Sequence, residues 1–176
     1  MTQWIIDPDH SVAAFVVRHM MVANVRGQFN RISGTIAFDP DNIAGSSVDV
    51  VIDAHGIYTG IQKRDDHLRS PDFLDVEQYP HIKFKSTNVE GTGDNRFRIA
   101  GDLTIRGITK KVILLAEVAG PENSPYGETS IGFAASGSLD REDYNIMWNV
   151  PLGSGGVMVG KEITIAIDIE ADSLEK

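Results

Sequence analysis

Ile163-Thr164-Ile165-Ala166-Ile167-Asp168-Ile169-Glu170 alternates without a break between isoleucine and smaller or polar side chains. Successive side chains of a strand point to opposite faces, so this period of two gathers four isoleucines on one face and marks a half-buried β-strand. The same period extends outward through residues 11–19, 25–39, 47–53, 81–90, 97–105, 108–118 and 129–139. Together these make about eight strands and an all-β chain.

The joints between strands carry their own chemistry. Arg106-Gly107 separates Ile105 from Ile108, a two-residue hairpin with glycine where positive φ is needed. Gly91-Thr92-Gly93-Asp94-Asn95 reads as a longer glycine-rich turn, and residues 121–125 as a loop between strands. Within 25–39 the apolar set changes parity, from Val25, Gly27 and Phe29 to Ile32, Ile36 and Phe38, which predicts a bulge near Asn30 or Arg31. Helix signals are short. Residues 59–68 and Ser70-Pro71-Asp72-Phe73 read as two helical turns, the second with Ser70 as N-cap and Pro71 at the first helical position. Residues 20–24 and 141–146 offer single turns. No repeat or linker interrupts the chain, so residues 1–176 are read as one domain.

Eight antiparallel strands joined by local turns leave a sandwich or a closed up-and-down barrel. Strand length favours the barrel, whose interior is filled by side chains or left open for one small ligand. Ala13, Gly27, Ala135 and Gly137, small and inward by parity, are expected to leave space.

Composition excludes several classes. The chain has 176 residues, 25 acidic against 16 basic, a formal charge of -9 and no Cys. Nucleic-acid binding needs clustered Lys and Arg, and none is present, so no nucleic-acid partner is expected. Thiol catalysis and Cys-zinc sites are ruled out, and the length needs neither disulfides nor a metal to build a core. The N-terminus lacks a signal-peptide pattern, so a cytoplasmic location is expected as written, and a periplasmic one if a leader has been removed. The longest apolar run, residues 12–17, is far too short to span a bilayer, so membrane contact is expected to be transient at most.

Two motifs invite over-reading. Gly155 to Lys161 fits part of a phosphate-binding loop, but Glu162 stands where Ser or Thr would hold magnesium, and a strand follows instead of a helix. His10, His19, His55, His67 and His81, with Asp65 and Asp66, show no ligand spacing, so no metal is expected. Arg64-Asp65-Asp66-His67-Leu68 is either a solvated, ion-paired turn or a polar collar at a barrel mouth. No nucleophile elbow or spaced carboxylate pair advertises an enzyme.

These pieces stand in a recognisable order. Trp4 to Ser11, Phe15-Val16-Val17-Arg18-His19 and Gly27-Gln28-Phe29 open a pattern that resembles the YceI-like family of polyisoprenoid-binding proteins. It continues through Thr59-Gly60, Arg64 to Leu68, Ser70 to Phe73, Tyr79-Pro80, Phe84-Lys85-Ser86, Gly101 to Gly107 and Leu139-Asp140-Arg141. Asn145 replaces a glycine common there and also tolerates positive φ; Leu74 replaces a common aromatic. The resemblance implies a lipocalin-like, extended antiparallel eight-stranded β-barrel with one or two short helices. It also implies a homodimer that holds a long-chain isoprenoid lipid, a polyprenyl lipid or an isoprenoid quinone, in the lumen for carriage, storage or sensing. No other cofactor is expected.

On that reading Phe15, Val17, Phe29, Phe84, Ile99, Val112, Leu114, Phe133 and Ala135 line the tail channel, and His19, Arg64, Asp65 and His67 form the rim that meets a polar head. Trp148 and Met147 are read as core packing, with a cover over the opening as the functional alternative. The rival classes are an enzyme on an apolar substrate, with His19 or His67 as general base, and a stress-response interaction module.

Overall fold

The computed structural model describes residues 1–174. Its elements are β1 (Thr2–His19), β2 (Ala23–Phe29), β3 (Ile32–Phe38), β4 (Ser47–Asp53), β5 (Ile57–Tyr58), α1 (Gln62–Arg69), β6 (His81–Gly93), β7 (Arg96–Ile105), β8 (Ile108–Asn123), β9 (Thr129–Asp140) and β10 (Val159–Ser173). Neighbours run antiparallel in the order β10-β9-β8-β7-β6-β4-β3-β1, and β1 pairs back onto β10. Eight strands therefore close a lipocalin-like barrel and leave no free edge among them. The short strands β2 and β5 extend the wall beside the far half of β1.

The predicted bulge is a full break. β2 and β3 part at Asn30-Arg31, so that β1 pairs with β3 through Thr2–Ile5 and with β2 through Ala13–His19. β1 changes parity at the matching height: Trp4 and Ile6 point inward before a register shift between Asp7 and Val12, and Ala13, Phe15 and Val17 after it. Two adjacent strands thus bend together. The first strand was expected to begin at Ser11; it begins at Thr2, and the structure uses Asp7-Pro8-Asp9-His10 as the bend.

Other differences are local. Strand β8 runs on to Asn123, through the stretch expected to be loop, and residues 91–93 pair before a tight turn at Asp94-Asn95. The helix over 59–68 forms as Gln62–Arg69, whereas Ser70 to Phe73 is a turn, with Ser70 Oγ donating to His67 O at 2.7 Å. Residues 20–22 make a hairpin turn instead of a helical one, and 141–144 form a 3-10 turn that ends on Asn145 at φ 56°, ψ 31°. Arg106 and Gly107 both adopt positive φ, 51° and 72°, as a two-residue hairpin of right-handed twist requires.

The inward face is one apolar core. Ile6, Ala171 and Ile131 face each other in register at one end of the barrel and are buried, 2%, 0% and 2% exposed. Phe38 packs edge-on against Phe97 and Phe133, with ring centroids 5.5 and 5.8 Å apart, and seals that end. Among the described residues no helix is long and apolar enough to cross a membrane.

Candidate functional site

Moving away from the sealed end, inward side chains stack in cross-strand rows. Ala13, Ile167 and Ala135 form one row, Phe15, Ile165 and Gly137 the next, and Val17, Ile163 and Leu139 the last. Every member of the last two rows is only half-buried, so on the β1–β10–β9 side of the barrel burial falls with distance from Ile6 and Ala171, while Ile32, Ile105 and Tyr144 keep the other strands buried at this end. The apolar space between the rows is a cavity of about 250 Å³. All nine proposed channel residues, Phe15, Val17, Phe29, Phe84, Ile99, Val112, Leu114, Phe133 and Ala135, stand on its wall.

Small residues open this space less than parity alone implies. A Cβ on Gly27 would lie 2.3 Å from the Phe15 ring, and one on Gly137 would lie 2.9 Å from a Leu114 methyl. Each glycine is therefore covered by a large neighbour, and neither leaves a void. Gly101 gives the same close approach to the Phe84 ring. Ala13 and Ala135 do line the cavity.

The wall also contains residues that the channel list omitted. Ile163, Ile165, Ile167 and Ile169 all line the cavity, as do Phe73 and Leu74. The isoleucine alternation was the signal that could have found the first four. Leu74, an expected departure from the family pattern, fills wall space. Trp148 packs edge-on to His67 and at 46° to Phe73, with centroids 4.8 and 5.4 Å away; it is packing, not a cover.

The four rim candidates do not join the wall. Asp65 is 4% exposed and accepts from Thr59 N–H at 2.9 Å and from the Thr59 hydroxyl at 2.5 Å. Arg64 donates from Nε to Thr59 Oγ1 at 2.7 Å and from a terminal nitrogen to Thr59 O at 2.9 Å. Both side chains are committed to clamping the approach to α1. His67 donates from Nε2 to Asp72 at 2.8 Å and rests edge-on against Phe73 at 5.0 Å. Arg69 completes the clamp by reaching His55 O and Ile57 O, each at 2.9 Å. His19 stands beyond Val17 at the open end, opposite Val159, and its imidazole has no hydrogen-bond partner among the described residues. These residues are a structural collar with one free imidazole beside it.

One charge is built into the wall. Arg141 is 3% exposed, and its guanidinium donates to Ile146 O, Gly160 O and Val159 O at 2.6, 2.8 and 3.3 Å. It has no carboxylate partner among the described residues; Glu142 pairs instead with Lys161 at 2.9 Å. Burial lowers the Arg141 pKa, but an arginine keeps its charge. Its donors tie β9, the 3-10 turn and β10 together, which is why Leu139-Asp140-Arg141 matters to this end of the barrel. Tyr144, 1% exposed, has no partner for its hydroxyl among the described residues, and burial pushes its pKa up to about 12.

Charged groups also meet outside the barrel. Asp7, His10 and Glu170 place their ligand-capable atoms within 4.8 Å, on the β1 bend and the facing strand. His10 donates to Asp7 at 2.7 Å; that bond raises the His10 pKa and lowers that of Asp7. The His10 ring thus meets two carboxylates that the register sets opposite each other.

The chain and its fold have counterparts among known proteins. The chain is 38% identical over 137 residues to a UPF0312 protein of Vibrio parahaemolyticus, covering 78% of this chain and 72% of that one. A UPF0312 protein of Pectobacterium atrosepticum is 36% identical over 159 residues, covering 90% and 80%. The YceI protein of Campylobacter jejuni superposes with a TM-score of 0.74 at 30% identity, over 90% of each chain. A polyisoprenoid binding domain from Saccharophagus degradans shares the fold, with a TM-score of 0.74 at 15% identity over 98% and 99% of the two chains. A family model for the YceI-like domain matches residues 4–171, and with these relatives it establishes that the chain belongs to the YceI-like family.

Proposed function

We propose that this protein binds the apolar tail of an isoprenoid lipid, a polyprenyl lipid or an isoprenoid quinone, inside the barrel, keeps the head group outside the wall, and serves as a carrier. One observation carries the reading: the cavity of about 250 Å³ is walled by apolar side chains, and Arg141, the one charged residue on it, is committed to backbone carbonyls. Such a space favours hydrocarbon and gives a polar group no unsatisfied partner. The fold shared with the Saccharophagus degradans polyisoprenoid binding domain supports the same reading.

Volume narrows the ligand. A cavity of about 150 Å³ holds one six-carbon ring, so about 250 Å³ holds about ten carbons, or two isoprene units. A longer tail has its remaining units beyond the half-buried row of Val17, Ile163 and Leu139, toward His19. Each buried CH₂ contributes about 0.8 kcal/mol, so a ten-carbon segment is ample for binding once ordering costs are set against it. Head-group contacts then decide which lipid is accepted, not whether one binds.

The test is organic extraction of the purified protein followed by mass spectrometry, run beside Ala135→Leu and Ala13→Leu, which fill the lumen without charge. Wild type is expected to release an isoprenoid lipid and to rebind it after delipidation, and both variants to release far less. Failure of correctly folded wild type to release or take up any isoprenoid contradicts the reading.

A further inference from the structure

The half-buried end of the barrel carries an apolar surface that the packing of the core does not explain. At the β1–β2 hairpin Met20, Met21 and Val22 are 43%, 56% and 77% exposed, and in the loop that leads into β10 Met147 and Val150 are 55% and 37% exposed. The two segments are joined: Met20 N–H donates to Met158 O at 2.8 Å, and a Cβ on Gly156 would lie 3.0 Å from Met21 Cγ and 3.7 Å from a Leu152 methyl. Residues 146–160 contain no charged side chain, in a chain whose formal charge is -9. The nearest charges flank the patch: Arg18, bonded to Asn24, and Lys161, paired with Glu142.

The backbone makes the choice of residue costly. Met20 and Met21 both have positive φ, 49° and 65°, a region where Asn, Asp and Gly are the ordinary occupants. The turn closes through Val22 N–H to His19 O at 3.1 Å, a bond that any residue pair could serve. Methionine here sacrifices turn stability and gains an adaptable apolar side chain held out in solvent. The position of the patch is equally specific, since Val17, Val159 and Ile146 on the cavity wall lie within three residues of Met20, Met158 and Met147.

We propose that the joined tip of Met20–Val22 and the 146–160 loop is the element by which this protein enters the surface of a neutral lipid bilayer, so that the tail passes between bilayer and lumen without crossing water. This rests on the isoprenoid reading. Insertion here relies on apolar contact, because an acidic chain with an uncharged tip gains nothing from anionic head groups. The exposed apolar surface beside the open row of the lumen is what a lipid surface would cover.

Met20→Asn/Met21→Asp separates this role from a structural one, because both new residues suit positive φ. The full chain, wild type and variant, is floated with phosphatidylcholine vesicles, with and without anionic lipid, and uptake of a prenyl alcohol is followed from vesicles and separately from detergent. Wild type is expected to float with neutral vesicles, no better with anionic ones; the variant is expected to lose association by about tenfold or more, in line with two apolar side chains withdrawn from lipid. Its melting temperature is expected to hold or rise, and its uptake from detergent to be kept. The proposal is overturned if wild type does not float, if the variant floats equally well, or if the variant loses only self-association in sedimentation, which would make the tip a contact between two copies. Wild type that floats but takes up no isoprenoid by either route overturns the isoprenoid reading and leaves the docking surface standing.

Discussion

The lumen wall and the α1 collar approach the same end of the barrel, and they differ in what their side chains have left to offer. Collar groups are committed: Arg64 and Asp65 converge on Thr59, His67 on Asp72, Arg69 on two carbonyls. Wall groups are apolar and face an opening of about 250 Å³. Hence the region dense in charge has little capacity to recognise a ligand, while the apolar wall, whose Arg141 is spent on backbone carbonyls, has room for one. On the proposed function, selection acts on the shape and length of a hydrocarbon, with His19 the polar group beyond Val17 that has no hydrogen-bond partner among the described residues.

That contrast breaks most visibly if the wall is filled. Ala135→Leu is expected to cut isoprenoid affinity by about a hundredfold, since it removes space for most of an isoprene unit while the fold keeps its strand pattern; calorimetric titration reads this. Collar substitutions are expected to act on stability instead. Asp65→Asn, which weakens a buried acceptor of two Thr59 donors, is expected to cost about 1–3 kcal/mol by denaturant unfolding, with isoprenoid affinity changed less than twofold. A large affinity loss there would place the head group in the collar after all. Tyr144→Phe removes a buried hydroxyl that has no partner among the described residues, so stability is expected to stay level or rise by up to about 1 kcal/mol.

The smallest effect concerns the outer wall. His10 has its pKa raised by Asp7, so its stabilising contribution is fully present below the ordinary imidazole range and fades as pH rises through the raised folded value. Asp7 has its pKa lowered, so its share is present above the ordinary carboxylate range and fades as pH falls through the lowered folded value. His10→Gln is therefore expected to lower the melting temperature only slightly, with the difference largest at about pH 4 to 6.5 and gone at alkaline pH. Thermal melts across that range check the sign.

Much of the barrel was legible because period-two alternation is a direct consequence of burying one face. Parity groups side chains by face without saying which face points inward; the nine side chains from Phe15 to Ala135 line the cavity. It missed the β1 bend, since Asp7-Pro8-Asp9-His10 has the local chemistry of a turn and only closure of β1 onto both β3 and β10 makes it strand. It also misjudged Gly27 and Gly137, because whether a glycine leaves space depends on which neighbour leans over it, and that is a property of register. The commitment of the collar charges was not legible for a related reason. Arg64 and Asp65 are five and six residues from Thr59, and no pattern within the helix announces that a threonine before it consumes both charges.

A lumen that measures hydrocarbon shows itself in calorimetric titration of delipidated protein with prenyl alcohols of one to four isoprene units. Affinity is expected to climb by at least about tenfold from one unit to two, then to flatten as added carbons find no further wall, with the climb abolished in Ala135→Leu. Affinity that ignores chain length, or that climbs equally in Ala135→Leu, would contradict that reading of the lumen.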